Sequence, residues 1–156
     1  MRTLFTRAFI VLAIATAAAF GADNSIGTWQ LNVEKSKYIP APMPVKSLTV
    51  TREASAGGVK VTTTGERSDG TAIHSGYTAK YDGKDVPVTG NAPYDTIAVK
   101  QVNANIFTDE RKKTDGPYKG TSRIVVTKGG KTMTTTTRGT DAELKGFIST
   151  FVFDKQ

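Results

Sequence analysis

From Ile26 onward, apolar and polar residues alternate in short runs, and no stretch keeps the three- and four-residue spacing of a long amphipathic helix. The alternation predicts about ten short strands, over 26–33, 46–53, 59–66, 73–81, 85–88, 96–102, 106–111, 121–127, 132–138 and 147–153. Turn signals separate them. "AGGV", "SDGT", "YDGK", "TDGP" and "KGGK" carry Gly-Gly or Asp-Gly pairs, which tolerate the positive φ of tight hairpin turns. Many short strands at close, even spacing predict an all-β sandwich or barrel. Short turns make sequence neighbours antiparallel partners, so the expected topology is an up-and-down meander. The abundant threonine suits half-exposed strand faces.

The same alternation assigns faces. In "IHSGYTAKY", Ile73, Tyr77, Ala79 and Tyr81 share one side, while His74, Gly76, Thr78 and Lys80 share the solvent side. In "GFISTFVFD", Phe147, Ser149, Phe151 and Phe153 face one way, and Ile148, Thr150 and Val152 face the other. This last strand is apolar on both sides and is expected to be covered or to seal the sheet against the first strand. Two segments break the rhythm. "YIPAPMPVK" (38–46) has three alternating prolines that cannot donate to a ladder, so it reads as an extended connector or a rim loop. "VTGNAPYD" (88–95) is a second candidate rim loop.

The chain begins with a different pattern. Arg2 and Arg7 precede an apolar run over 8–19, and small residues, Ala19 and Gly21, follow it. A basic start, a short apolar core and a small-residue exit predict a secretory signal peptide over 1–21, with one domain over 22–156. The apolar run is shorter than the roughly 20 residues of a membrane span, so no stable membrane insertion is expected after cleavage. The chain contains no cysteine, which excludes disulfides, zinc–thiolate sites and cysteine nucleophiles. The formal charge is +7, but the lysines are scattered among acids and form no basic stripe. Nucleic acid is therefore not an expected partner.

A secretory leader followed by "GTW" on the first strand and a helix-free meander resembles the lipocalins and related calycin-type barrels, which include the fatty-acid-binding proteins and avidins. The segments "GTWQLNVEKSKY", "YTAKYDGKDVPVTG" and "GKTMTTTTRGTD" are similar to an uncharacterised group of small secreted bacterial proteins that are loosely lipocalin-like. The resemblance implies an antiparallel meander closed into a lipocalin-like barrel of about 8–10 strands. It implies that Gly27 and Trp29 match the Gly-x-Trp of the opening strand. It also implies that a late basic residue, Arg138 or else Arg123, lies across the Trp29 ring and helps to close the barrel. The chain departs from these families in showing no helix after the last strand and no helical lid.

Candidate chemistry is sparse. His74 is the only histidine and falls on the solvent face, so no positioned general base is visible. The acids Asp69, Asp82 and Asp115 each precede a turn glycine, which explains them without a catalytic role. No nucleotide-binding, metalloprotease or hydrolase motif is present. The expectation is a non-enzyme with no catalytic residues, no metal and no cofactor. A closed barrel of about eight to ten strands can hold one small ligand. The inward set Tyr77, Tyr81, Phe107, Met133, Phe151 and Phe153 supplies candidate ligand-lining residues, or else simply fills the core. The expected function is a secreted or periplasmic protein holding a small hydrophobic or amphipathic ligand. The alternative is a non-catalytic structural or interaction protein that contacts the cell envelope or an anionic polymer.

Overall fold

The computed structural model describes residues 21–156; the predicted leader, apart from Gly21, lies outside the described residues. Twelve strands follow one another: β1 (Gly27–Leu31), β2 (Lys37–Ile39), β3 (Val45–Ser55), β4 (Gly58–Arg67), β5 (Ala72–Lys80), β6 (Asp82–Pro87), β7 (Thr89–Gly90), β8 (Thr96–Asn103), β9 (Ile106–Lys112), β10 (Lys119–Val126), β11 (Thr132–Thr140) and β12 (Gly146–Lys155). All pairings are antiparallel, in the order β6-β8-β9-β10-β11-β12-β1-β3-β4-β5-β7, with β2 added beside β12. The sheet curls into a nearly closed all-β meander barrel, compatible with a lipocalin-like fold. The two strands beyond the expected set are β2 and β7, both very short.

Both additions complete the barrel. β1 and β2 run along the same neighbour: Leu31 pairs with Phe153, and Tyr38 pairs with Ser149 further along β12. The chain bulges outward between them over 32–36. Buried Ser36 stitches the bulge down, donating from Oγ to the Asn32 carbonyl (2.7 Å) and accepting the Val152 N–H (2.9 Å). The doubly apolar β12 thus seals the sheet against the first strand, one of the two outcomes its sequence predicts.

The other addition makes the seam. β6 bonds to β8, and after Val88 the same stretch, as β7, bonds to Ser75 and Gly76 of β5. No ladder joins β5 to β6 among the described residues. Apolar side chains close that gap instead: Ala79, Ile97 and Val99 are buried there, with Tyr77, Tyr81, Val86, Val88 and Tyr94 packed around them. Gly90 is needed at the seam. Its φ is +88°, and a Cβ there would lie 2.1 Å from the His74 carbonyl oxygen.

Alternation sets the interior. On β10, Ser122, Ile124 and Val126 are buried while Thr121, Arg123 and Val125 are exposed. On β3, Leu48, Val50 and Arg52 point inward, and a bulge between Val45 and Ser47 turns Val45 inward as well. The core proper gathers at one end, around Trp29, Leu31, Phe107, Val126, Met133 and Phe153. The other end is left open.

Candidate functional site

The barrel encloses a cavity of about 420 Å³, within the range of about 300–1,000 Å³ typical of small-molecule sites. Its floor is the packed end. Residues 22–26 cross beneath the strands, held by Asn24 N–H to the Ala104 carbonyl (2.9 Å) and Gln101 Nε2 to the Ala22 carbonyl (3.1 Å). Trp29 stands on this segment fully buried, and its Nε1 donates to the Ser25 carbonyl at 2.8 Å.

The expected closure of the floor is half right. Trp29 does lie under a cation, but the cation is Lys155, whose Nζ sits 5.1 Å from the ring centroid. Arg138 and Arg123 do not reach it: both are exposed on the outer face. The reason is strand parity. Met133 and Thr137 point inward from β11 and Ser122 and Ile124 from β10, so Arg138 and Arg123 must point outward. Lys155 is the register partner of Trp29 on β12, which places it correctly. Gly27 makes room for it. A Cβ at Gly27 would lie 2.7 Å from Lys155 Cε, and the φ of +136° disfavours any side chain. The Gly-x-Trp pattern therefore has a local physical basis: glycine clears the path along which the lysine folds over the indole.

Of the six candidate lining residues, Tyr77, Met133, Phe151 and Phe153 face the cavity. Tyr81 and Phe107 do not line it. They pack together in the floor, ring centroids 5.4 Å apart. Burial first, and then its hydrogen bond to Asp23, hold the Tyr81 hydroxyl well above the usual tyrosine range, against the pull of Arg52. Burial pushes the Tyr77 hydroxyl up to about 12, so it is a neutral group at ordinary pH.

Three charged side chains in the barrel interior were not anticipated. Arg52 is only 3% exposed and lies 5.6 Å over the Phe107 ring. Asp109 is buried and forked by Arg111, with Nε to Oδ1 at 2.7 Å and Nη2 to Oδ2 at 2.9 Å. Arg111 in turn sits 5.2 Å over Tyr94. Burial works against the Arg111 charge, but Asp109 and the neighbouring tyrosines outweigh it and hold the group well above its ordinary value. Parity was the signal available for all three. Arg52 falls in step with Leu48 and Val50, and Asp109 and Arg111 fall in step with Phe107.

The mouth is framed by both predicted rim loops and a third. Tyr38 and Pro44 come from the proline-rich link, Ala92, Pro93 and Tyr94 from the second loop, and Asp141, Ala142 and Glu143 from the β11–β12 turn. The proline-rich link is thus part of the rim and more than a connector. Aromatic rings run in sequence around one side: Tyr38 on Phe147 (5.8 Å), Phe147 on Tyr118 (5.9 Å), Tyr118 on Tyr94 (5.7 Å).

Asp95 anchors the second loop. It accepts the Thr114 N–H (2.9 Å), the Thr114 hydroxyl (3.0 Å) and the Thr96 hydroxyl (3.1 Å), and it pairs with Lys113. The Thr114 N–H, first, lowers its pKa from 3.8 to about 2. A carboxylate with a depressed folded-state pKa stabilises the fold above its unfolded pKa, and that contribution disappears as pH falls through the folded value. Acid titration is therefore expected to loosen this loop between about pH 4 and pH 2. Amide exchange at Thr114 measures it. Asp95→Asn is expected to give the acid-loosened protection factor at the Thr114 amide already at pH 6, with little further loss of protection on acidification.

His74 lies exposed on the outer face. Among the described residues no group of three His, Cys, Asp or Glu side chains is placed to hold a metal ion. No family model and no curated protein matches this chain.

Proposed function

We propose that this protein is a carrier or binding module, exported by its leader to the periplasm or beyond, that holds one small hydrophobic or amphipathic molecule inside the barrel and performs no chemistry on it. One observation carries the reading: the interior is hollow and lined by Tyr77, Met133, Phe151 and Phe153, with a mouth framed by three loops. A chain meant only to fold would gain by filling that space, because empty apolar volume forfeits packing contacts.

The test uses Nile red, a neutral dye that fluoresces in apolar surroundings. Uptake with one site per barrel is expected. Thr135 faces the cavity. Thr135→Trp should fill it and weaken uptake by about tenfold or more, roughly the loss of one favourable contact. Native mass spectrometry of protein purified from its own host should show a bound small molecule that the variant lacks. Equal dye uptake by both proteins would mean that the dye sits outside the barrel, and the reading would fail.

A further inference from the structure

The cavity floor holds a charge that the protein leaves largely unanswered. Arginine carries five N–H donors and does not shed its proton when buried. Among the described residues, Arg52 uses one donor: Nε to Ser25 Oγ at 2.9 Å. Its Nη2 is buried with no acceptor at all. Among the described residues no carboxylate comes within 4.0 Å of the guanidinium. Asp23 belongs to the same hydrogen-bonded network, but it is engaged elsewhere. It accepts the Ser25 N–H (2.8 Å), the Ser25 hydroxyl (2.5 Å) and the Tyr81 hydroxyl, so it reaches Arg52 only through Ser25 and through Tyr81, whose hydroxyl also faces the guanidinium. Leaving a buried charged donor without an acceptor is costly, and native proteins seldom do it without a reason.

Arg52 is also part of the cavity wall. The Phe107 ring holds its plane from one side, which fixes the guanidinium without consuming its donors. From Val45 at the mouth to Arg52 at the floor, β3 covers about 23 Å at about 3.3 Å per residue. The path between them is lined by Leu48 and Val50 on that strand.

We propose that Arg52 receives the carboxylate of an amphipathic ligand, whose apolar tail runs up the cavity toward the mouth. A carboxylate matches the guanidinium fork and supplies the acceptors it lacks. The charge count points to a monoanion, because the other interior guanidinium, Arg111, is already forked by Asp109. Among the described residues no second unpaired cation lines the cavity floor, since Lys155, over the Trp29 ring, is not part of the cavity wall, so a phosphate monoester would be left one charge short. This assignment rests on the binding reading above and adds the ligand's head-group chemistry and its orientation.

The experiment compares decanoate with decanol by calorimetry, both below their aggregation limits, with Nile red as the control for the cavity. The native protein should bind decanoate about 10- to 100-fold more tightly than decanol, the range for a hydrogen-bonded charge. Arg52→Met should erase that preference, read as the ratio of decanoate to decanol affinity within the one variant, and Arg52→Lys should keep part of it. A readout free of any folding defect is the carboxyl carbon of 13C-labelled decanoate bound to the native protein. Its titration should move to lower pH than in water, since a cation favours the ionised form. Nile red uptake without a decanoate preference, or with an unshifted carboxyl, would overturn the head-group assignment and leave the cavity reading standing. Failure of both dye and decanoate to bind would overturn both.

Discussion

Replacing Trp29 by alanine should lower the unfolding free energy by about 3–5 kcal/mol, the range for truncating a fully buried large aromatic. Trp29 has no exposed surface and sits at the centre of the floor cluster with Leu31, Phe107, Met133 and Phe153. Its loss opens a void that β1 cannot close, because β1 is pinned between β3 and β12. It also strands the Ser25 carbonyl, which the indole satisfies. Urea denaturation followed by circular dichroism measures the loss, since the only tryptophan is the one removed. Trp29→Phe separates the two contributions. It keeps most of the volume and should cost about 1–3 kcal/mol, the penalty of an unsatisfied buried acceptor. A Trp29→Ala protein within about 1 kcal/mol of the native one would show that the floor rearranges around the void.

The second large effect comes from a charge pair. Asp109→Ala removes the carboxylate that forks Arg111 and leaves the guanidinium in the interior without its partner. Breaking a buried pair from one side costs about 3–5 kcal/mol. The Arg111 side chain keeps 19% of its exposure, so the lower end of that range applies. The double variant Asp109→Leu/Arg111→Met should recover most of the loss, because a buried pair replaced as a unit by apolar groups is often neutral. The shift in urea midpoint at constant m measures both. Equal instability of the single and double variants would mean that packing, not the orphaned charge, sets the cost.

The two effects also mark how far the chain could be read without its fold. Period-two alternation located the strands and the inward side of β5 and β12, because a half-buried sheet imposes that pattern locally. It missed β7, whose two residues, Thr89 and Gly90, carry no periodic signal and become a strand only by meeting Ser75 and Gly76. The resemblance to calycin-type barrels, not the alternation, put a cation over Trp29, and it named Arg138 or Arg123 where Lys155 stands. The partner depends on the register of β1 against β12, a pairing between distant parts of the chain that no local pattern encodes. Arg52, Asp109 and Arg111 were hidden for another reason. Charged residues on strands normally mark the solvent side, and here their neighbours' parity overrides their chemistry. The rim loops were legible as loops from their prolines, whereas their convergence on one mouth was not.

The seam between β5 and β6 bears on how the protein behaves when damaged. An open sheet has two free edges, and each is a template for another chain. Here both edges belong to one segment, with only Val88 between β6 and β7. A single proteolytic nick near Val88 would release β7 from β5 and expose the Ser75–Gly76 edge, together with the apolar cluster behind it. The same short stretch that completes the barrel therefore guards it against strand-by-strand aggregation.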